Sequence, residues 1–363
     1  MAAAIDRVTA SAYTVPTDAP ESDGTIAWAA TTIVVAEARA ADVTGLGYSY
    51  AHAAACELVR GVLADAVCGL DAMNVAAAWI AMTTAVRNVG RPGLASTAIS
   101  ALDTALWDLK AKLLDLPLVT LLGAARPSVA AYGSGGFTSY TDAQLTAQLG
   151  GWAAAGLRAV KMKVGREPAR DVHRVEVARA AVGPDVELYV DANGAYHAAQ
   201  AIAFAERVGP LGVTWFEEPV TSDDLAGLRH VRARAPAGVR IAAGEYGYEP
   251  WYFRRMLEGE SVDVLQADAT RCGGPSGFAR AAALAEAHHV PLSAHTAPSL
   301  HAHLCCAAPP ALNVEYFHDH ARVERSLFDG ARAPDGGGRL APDASRPGLG
   351  LELKRQDAAR YAA

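Results

Sequence analysis

Lys161-Met162-Lys163, Asp191-Ala192-Asn193 and Glu217-Glu218-Pro219 begin a series of polar groups that decides the fold. Each group closes a short apolar run, and each is separated from the next by the length of one strand plus one helix. The series continues with Gly244-Glu245, Asp268, His295 and Glu315. In a (β/α)8 barrel, polar residues at the carboxyl ends of successive strands converge on one catalytic face. The spacing therefore predicts a barrel and a site at its mouth.

Eight candidate strands follow this spacing, with amphipathic helical stretches between them. They are Val129–Gly133, Arg158–Val164, Val186–Val190, Val213–Phe216, Val239–Ala243, Val262–Ala267, Leu292–Ala294 and Leu312–Glu315. Strands that alternate with helices are typical of α/β proteins with a parallel sheet, and eight such strands close a TIM barrel. We predict the barrel domain at 126–330.

The first part of the chain has a different pattern, in which strands precede helices. Ile5–Val15 and Thr31–Arg39 alternate like strands and flank Pro16–Ile26, a polar stretch that we predict to be a loop. Gly45–Tyr50 contains glycines that we interpret as turn residues, and from Ala51 to Leu122 apolar residues recur at helical intervals.

This order of elements predicts a separate α+β domain at 1–125. The segment 331–363 is rich in glycine and proline and therefore in loops. We expect it to leave the barrel, pack back against the N-terminal domain and complete it.

Composition excludes several classes of protein. With 51% hydrophobic residues and a net charge of −7, the 363-residue chain is an ordinary globular protein without the basic stripe of a nucleic-acid-binding protein. No run approaches the roughly 20 apolar residues of a membrane span, and residues 1–6 lack the features of a secretory signal. Five cysteines without a C-x-x-C pair predict reduced, buried thiols in a cytoplasmic protein.

Asp191, Glu217 and Glu245 are candidate metal ligands. Three carboxylates at three strand ends would repel one another unless a cation neutralised them, and Mg²⁺ prefers oxygen ligands. Neighbouring residues of a strand point to opposite faces, so only one of Glu217 and Glu218 can face the barrel interior. Spacing alone does not choose between them, and solvated loop acids are the alternative to a metal site.

Lys161 and Lys163 lie two residues apart on one strand and therefore face the same side. Two ammonium groups in one barrel mouth lower each other's pKa. A lysine with a lowered pKa can act as a base near neutral pH. The alternative is a pair of surface lysines, but a closed barrel has no edge strand to carry them.

Asp268 and His295 end neighbouring strands, so they can form a dyad. A carboxylate bonded to one ring nitrogen fixes the histidine tautomer and raises the basicity of the other nitrogen, which makes His295 a candidate general acid or base. A histidine buried in the core is the alternative. Glu315 could donate a hydrogen bond to an anionic substrate if it stays protonated, or could pair with Arg322 or Arg325.

Four further histidines suggest a zinc site. We interpret them as pocket-lining or helix residues and leave their roles open, because the carboxylate site already explains a metal; they are His301, His303, His318 and His320.

Together these motifs resemble the enolase superfamily, in its mandelate racemase subgroup, over nearly the whole chain. The K-x-K, D-x-N, E-E-P, G-E, D, H and E elements occur in the family order, and Ala101–Lys112 resembles a helix of the family's N-terminal domain. The resemblance implies an α+β capping domain over a modified (β/α)7β barrel, with one essential Mg²⁺ per active site. It also implies Asp191, Glu217 and Glu245 as the metal ligands, which selects Glu217 over Glu218.

The resemblance assigns roles to the other site residues as well. Lys163 looks like one base and Lys161 like its electrostatic partner. Asp268 and His295 look like a second acid/base dyad. Glu315 looks like the electrophilic acid, and Asn193 matches a position that can contact a substrate hydroxyl.

The implied reaction begins with removal of a proton next to the carboxylate of a small-molecule substrate. Two opposed bases permit dehydration of an acid sugar to a 2-keto-3-deoxy acid, which we favour, or racemisation or epimerisation of a 2-hydroxy acid. Which of Lys163 and His295 abstracts the proton is left open. Lactone-forming cycloisomerisation is less favoured, because it does not require the dyad. A non-catalytic binding protein on the same fold is a remote alternative. We also expect a homo-oligomer.

Overall fold

The computed structural model describes residues 3–363, and the chain begins with three antiparallel strands. β1 (Arg7–Ser22), β2 (Ala27–Ala40) and β3 (Val43–Tyr50) lie side by side in that order. Met1 and Ala2, with which the predicted domain and the predicted signal-free N-terminus begin, lie outside the described residues.

The loop predicted at Pro16–Ile26 is wrong, because most of it belongs to a long β-hairpin. β1 pairs with β2 as far as Pro16 and pairs again at Glu21, with a bulge between these two residues. The polar residues suggested a solvated loop, but Glu21 is buried and accepts a hydrogen bond of 2.9 Å from the Trp28 indole. The turn itself is closed by Asp23, whose Oδ1 accepts a hydrogen bond of 2.8 Å from the backbone N–H of Ile26.

The predicted helical region follows the sheet. It contains α1 (Ala55–Leu58), a π-helical turn (Val59–Leu63), α2 (Ala64–Val67), α3 (Val75–Ala85), α4 (Leu94–Leu113) and α5 (Leu118–Leu122). Gly45 and Gly47 are strand residues and not turn residues. A Cβ atom on Gly45 would lie 2.2 Å from the carbonyl oxygen of Ala105, so glycine lets α4 lie directly on β3.

A closed barrel of eight parallel strands follows. Its strands are β4 (Val129–Gly135), β5 (Ala159–Lys163), β6 (Glu187–Asp191), β7 (Val213–Glu217), β8 (Arg240–Ala243), β9 (Val264–Ala267), β10 (Leu292–Ala294) and β11 (Ala311–Phe317). Neighbours in sequence are neighbours in the barrel, and β11 pairs with β4 to close it. All eight predicted strands are confirmed.

Seven helices connect these strands. They are α6 (Asp142–Ala154), α7 (Pro168–Val182), α8 (Ala198–Val208), α9 (Leu225–Arg232), α10 (Pro250–Glu258), α11 (Gly274–Ala287) and α12 (Pro298–Ala307). The architecture is therefore the predicted (β/α)7β barrel, followed by α13 (His318–Leu327).

The remaining segment contains β12 (Phe328–Asp329), β13 (Arg339–Leu340), β14 (Glu352–Leu353) and α14 (Arg355–Ala358). It does not simply leave the barrel as expected, because β13 pairs antiparallel with β4 at Arg339 and Ala130. Beyond β13 the chain contacts the N-terminal part. The backbone N–H of Leu349 donates to Asp108 at 2.6 Å, and Arg355 pairs with Glu37 at 2.5 Å.

Helix α4 joins the N-terminal part to the barrel. Asp103 accepts hydrogen bonds of 2.9 and 2.8 Å from the backbone N–H and hydroxyl of Ser276, at the start of α11. Trp107 donates a hydrogen bond of 2.9 Å to the same hydroxyl, and Asp108 accepts one of 2.7 Å from the backbone N–H of Leu46. The Ala101–Lys112 segment is therefore a docking helix with buried carboxylates.

The interior of the barrel below the mouth is filled by aromatic side chains. Tyr189 and Trp215 stack with their ring centroids 4.9 Å apart, beside Tyr132. All five cysteines are free; four are buried as predicted, and Cys68 is exposed. Within residues 3–363, none of the helices combines the length and the apolar character that crossing a membrane requires.

Candidate active site

The barrel brings the predicted site residues to one mouth, in an order set by the strands. Asp191, Glu217 and Glu245 stand at the carboxyl ends of the neighbouring strands β6, β7 and β8. The lysines on β5 flank this group on one side. Asp268 after β9 and His295 after β10 flank it on the other, and Glu315 on β11 completes the ring.

The three carboxylates are positioned to bind a metal ion. Asp191, Glu217 and Glu245 are buried, and one oxygen of each lies within 4.8 Å of the others. Glu245 Oε2 is buried and accepts no hydrogen bond. Burial and the nearby Asp191 charge raise the pKa of Glu217 well above its usual value. An all-oxygen set of crowded carboxylates fits a hard divalent cation such as Mg²⁺.

Strand alternation now separates Glu217 from Glu218. Glu217 follows Trp215 by two residues and faces the barrel interior with it, and the Trp215 indole donates a hydrogen bond of 3.0 Å to Glu217 Oε2. Glu218 has a φ of 37° and lines a second cavity of about 480 Å³, beside the mouth.

Gly244 is needed to present Glu245. Its φ is 137°, and a Cβ atom at this position would lie 2.1 Å from the carbonyl oxygen of Gln266 on β9. Only glycine has neither a steric penalty at this φ nor a side chain to clash. The backbone can therefore turn here, so that Glu245 meets the ligands of the two preceding strands.

Lys161 and Lys163 are buried and are held by carboxylates. Lys161 contacts Glu217, and Lys163 Nζ lies 2.5 Å from Asp191 Oδ2. Burial favours the neutral amines, but the carboxylates outweigh burial and raise the pKa of both lysines above its usual value. Lys161 does lower the pKa of Lys163, as predicted, but the neighbouring carboxylates outweigh this effect, so the net shift of the lysine pKa is upward and not downward.

Asp268 and His295 form the predicted contact. His295 Nδ1 lies 2.8 Å from Asp268 Oδ2, and the other oxygen of Asp268 accepts a hydrogen bond of 2.7 Å from the backbone N–H of Thr270. Burial would raise the pKa of Asp268, but the hydrogen bond and charge of His295 hold it well below its usual value. An ionised Asp268 keeps the proton on Nδ1 and leaves Nε2 to face the mouth, 3.4 Å from Glu245.

Glu315 departs from its predicted protonation. Its partner is neither Arg322 nor Arg325 but Lys161, whose Nζ lies 2.9 Å from Glu315 Oε1. Burial opposes ionisation, but Lys161 holds the pKa of Glu315 well below its usual value. Glu315 is therefore a carboxylate in this arrangement, and it needs a proton before it can act as an electrophilic acid.

Asn193 is placed to meet a substrate. It lines the cavity above the mouth, and its Oδ1 is buried without a hydrogen-bond partner. Its backbone N–H donates to Asp191 at 2.9 Å, which ties its position to the metal site.

The four further histidines divide into two pairs. His301 and His303 are helix residues whose two ring nitrogens are bonded to backbone groups; burial lowers the pKa of His303 to about 4. His318 pairs with Asp18 at 2.9 Å, away from the carboxylate triad. His320 lines the cavity and stacks on Tyr50 with ring centroids 3.3 Å apart, and burial lowers its pKa to about 3.

Two parts of the site escaped the sequence reasoning. The cavity of about 400 Å³ is roofed by the β1–β2 hairpin, through residues such as Asp23, Ile26 and Trp28. Asp23 and Ile26 lay in the predicted loop, and Trp28 lay between that loop and the next predicted strand, so none of them was identified as a site residue. Arg271 donates a hydrogen bond of 3.1 Å to Glu245, and its Nε lies 3.7 Å from Asp268. A cation three residues after a strand-end acid was the signal that could have identified it.

Comparisons with known proteins agree with this geometry. The family model described as "Mandelate racemase / muconate lactonizing enzyme, N-terminal domain" matches residues 9–123, and "Enolase C-terminal domain-like" matches residues 144–358. The chain belongs to the enolase superfamily, in the group of mandelate racemase and muconate lactonizing enzyme.

Three relatives are informative. A mandelate racemase/muconate lactonizing enzyme-like protein from Rubrobacter xylanophilus has a crystal structure 52% identical, with a TM-score of 0.97 and coverage of 99% of each chain. L-talarate/galactarate dehydratase from Salmonella typhimurium, crystallised with Mg and L-lyxarohydroxamate, is 30% identical with a TM-score of 0.91, covering 100% of this chain and 94% of its own. The 3,6-anhydro-alpha-L-galactonate cycloisomerase of Streptomyces coelicolor is 34% identical over 88% of both chains.

Proposed function

We propose that the protein is a Mg²⁺-dependent enzyme that removes the proton next to a carboxylate and dehydrates an acid sugar to a 2-keto-3-deoxy acid. The observation that carries this proposal is the strand order, which places the carboxylates of Asp191, Glu217 and Glu245 between Lys163 on one side and His295 on the other. The similarity to a dehydratase crystallised with Mg supports the metal and the class of reaction.

The residues divide the work between binding and proton transfer. When bound by Asp191, Glu217 and Glu245, Mg²⁺ would stabilise the charge that develops on the substrate carboxylate and would weaken the hold of Asp191 on Lys163. The buried Lys161 ammonium contacts Glu217 and Glu315 and adds positive charge beside the metal site. Asn193 Oδ1 can accept a hydrogen bond from a substrate hydroxyl.

Dehydration needs a base and an acid at different carbons of the substrate. One group takes the α-proton, the bond from the β-carbon to its hydroxyl breaks, and a second group protonates the leaving hydroxyl to give water. Lys163 and His295 lie on either side of the carboxylate triad. One of them can therefore remove the proton from the α-carbon while the other protonates the hydroxyl that leaves the β-carbon. The resulting enol then becomes the 2-keto acid.

Cycloisomerisation is a second candidate, favoured by the similarity to a cycloisomerase over most of the chain. It can use the same α-proton removal, but the leaving oxygen stays tethered to the product. The two reactions are separated by product mass, which falls by one water in dehydration and is unchanged in cycloisomerisation.

Proton NMR in D₂O with Mg²⁺, over a panel of acid sugars and 2-hydroxy acids, tests the proposed reaction. Dehydration predicts loss of one substrate and appearance of a 2-keto-3-deoxy acid. Deuterium entering the α-position while every hydroxyl is retained would instead establish a racemase or epimerase. Consumption of no member of the panel would overturn the proposal.

His295→Asn tests the dyad. We expect dehydration to fall by about 10²–10⁴-fold, with Mg²⁺ affinity unchanged because His295 is not a ligand. Lys163→Ala is the companion variant; if it still exchanges the α-proton with solvent, His295 is the abstracting base. Substantial dehydration by the His295 variant would contradict its role.

The remaining predictions concern the setting of the enzyme. Free thiols on all five cysteines support the proposed cytoplasmic location. The homo-oligomeric state and the domain limits at 1–125 and 126–330 stay predictions.

A further inference from the structure

The two ends of the active-site cavity differ in charge. Its inner end is the ring of lysines and carboxylates at the barrel mouth. Its outer end is formed by the β1–β2 hairpin and the end of β3, through residues such as Asp23, Trp28, Ala30, Thr32, Tyr50 and His52. Any substrate whose carboxylate is bound at the metal site extends its other end toward this outer wall.

The cations of the cavity are all at the inner end and are already paired. Within residues 3–363, Lys163 and Arg271 are the lysine and arginine side chains that line the cavity. Lys163 Nζ lies 2.5 Å from Asp191, and Arg271 Nη1 lies 3.1 Å from Glu245. Both cations therefore lie beside the proposed metal ligands, at the inner end of the cavity and not at its outer end.

The outer wall offers hydrogen-bond donors and an acid. His52 Nδ1 accepts a hydrogen bond of 3.1 Å from the backbone N–H of Ala54, which leaves the other ring nitrogen, Nε2, as the donor that can face a ligand. Burial lowers the pKa of His320 to about 3, so this ring carries no charge. Asp23 uses Oδ1 to hold the turn, bonding the backbone N–H groups of Thr25 and Ile26 at 2.6 and 2.8 Å, and its Oδ2 remains available as an acceptor.

More acid lies behind this wall. Asp319 accepts hydrogen bonds from Trp28 at 3.3 Å and Thr31 at 2.9 Å, and Glu21 accepts one from Trp28 at 2.9 Å. Burial raises the pKa of Glu21 to about 9, and Asp319 pairs with Arg322 at 2.8 Å, so these two groups add little net charge and Asp23 is the acid that faces the outer end. Hydroxyl groups suit it, because each can donate to Asp23 and accept from His52.

We propose that the substrate is a monocarboxylate acid sugar with a neutral, hydroxylated far end, and that the outer wall rejects dicarboxylate acid sugars. A second carboxylate would lose water at the outer end without gaining a cation, and such a group is costly to bury unpaired. This inference rests on the proposed function, because it assumes that one carboxylate is bound at the metal site.

Matched pairs of substrates test the inference. D-Galactonate and galactarate, or D-gluconate and D-glucarate, differ only in whether the terminal carbon is a hydroxymethyl group or a carboxylate. For the pair with the accepted stereochemistry, we expect kcat/KM to be at least about tenfold higher for the monocarboxylate. Calorimetric titration of the same pairs in the presence of Mg²⁺ should show that the monocarboxylate of the pair binds more tightly than the dicarboxylate.

Two variants move the discrimination in a predictable way. Asp23→Asn keeps the Oδ1 acceptor that closes the turn but removes the charge. It should lower the ratio of kcat/KM for the monocarboxylate to kcat/KM for the dicarboxylate by about three- to tenfold. Ala30→Arg adds a cation at an exposed position of the outer wall and should raise kcat/KM for the dicarboxylate by about tenfold or more. Ala29→Arg is the matched control, since Ala29 is exposed on the same strand but does not line the cavity. It should leave kcat/KM unchanged for both the monocarboxylate and the dicarboxylate.

The outcomes separate this inference from the proposed reaction. Galactarate or glucarate bound and dehydrated as well as its monocarboxylate partner would overturn the inference and leave the dehydratase intact. Tighter binding of the monocarboxylates without turnover of any acid sugar would overturn the reaction and support the inference. Binding of no pair at millimolar concentration would overturn both.

Discussion

The floor and the roof of the active-site cavity are built in opposite ways. The floor consists of charged side chains at the ends of barrel strands, each in contact with a group from another strand, as Lys161 is with Glu217 and Glu315. The roof is a two-stranded hairpin whose lining groups are mostly neutral; Asp23 is held by its own turn, and Trp28 and Thr31 donate to Asp319 on α13. In the proposed function, the floor carries the chemistry, and the roof selects the substrates that reach it.

This difference has a physical origin. Barrel strands are hydrogen-bonded on both sides, so their ends are fixed relative to one another and can hold mutually repelling charges in place. A hairpin is bonded within itself and can change its side chains without disturbing that arrangement. Substitutions in the floor should accordingly affect metal binding and kcat, and substitutions in the roof should affect KM and substrate choice.

The largest effect is expected from Glu217→Gln. Loss of a metal-ligand charge should abolish measurable Mg²⁺ binding and lower kcat/KM by at least about a thousandfold. Glu218→Gln is the matched control, because Glu218 is the adjacent residue but lines the second cavity. Calorimetry with Mg²⁺ and steady-state kinetics measure both variants. Equal losses in the two would contradict the division between the faces of β7.

A smaller effect in the floor is expected from Arg271→Met. Arg271 donates to Glu245 at 3.1 Å and orients this carboxylate, so its loss should weaken Mg²⁺ binding by about 10–100-fold. Excess Mg²⁺ should recover most of the activity, whereas it would not rescue a variant of the acid/base dyad. Arg271→Lys retains the charge, and its Mg²⁺ affinity should lie between that of the unmodified protein and that of Arg271→Met. Unchanged Mg²⁺ affinity in Arg271→Met would show that the contact does not orient the ligand.

In the roof, Trp28→Phe should act on binding alone. The indole N–H donates to Glu21 and Asp319, while its ring packs edge-on against Phe137 with centroids 5.5 Å apart. Phenylalanine keeps an aromatic ring and removes the donor, so we expect KM to rise by about fivefold with kcat unchanged. A fall in kcat with KM unchanged would mean that the hairpin contributes to the chemical step and not only to substrate binding.

The contact between the N-terminal sheet and α13 should make the stability of the protein depend on pH. Glu324 accepts hydrogen bonds from Tyr48 at 2.6 Å and from the backbone N–H of Ser299 at 3.0 Å, and burial raises its pKa from 4.5 to about 7. The folded protein therefore binds this proton more tightly than the unfolded chain does. The stability it contributes is complete below about pH 4.5 and is lost as the pH rises through about 7.

Denaturant unfolding between about pH 6 and pH 8 measures this contribution, which should amount to about 1 kcal/mol over that range. Glu324→Gln cannot titrate; its amide oxygen can still accept from the Ser299 N–H, and its amide NH2 can donate to the Tyr48 hydroxyl oxygen, so its unfolding midpoint should vary less with pH. An identical pH dependence in both proteins would assign the effect to other groups.

The sequence predicted the floor far better than the roof. Barrel strands could be located because their apolar runs and polar ends recur with the strand–helix period, and Glu217 could then be chosen over Glu218 by resemblance. The hairpin could not be recognised, since Glu21 and Asp23 owe their burial to Trp28 and to a turn that no periodicity reports. The charges of Lys163 and Glu315 were also missed, because they depend on which side chains meet across different strands.

The contact between Asp108 and Leu349 has a consequence for synthesis of the chain. Its two partners are 241 residues apart, and Asp108 Oδ1 is bonded there by the Leu349 N–H. At roughly 5–20 residues per second, a ribosome needs on the order of 10–50 s to deliver the second partner after the first. Throughout translation of the barrel, this carboxylate oxygen of α4 therefore lacks its Leu349 partner. We expect nascent chains arrested before residue 349 to be cleaved by protease near α4 much faster than released chains.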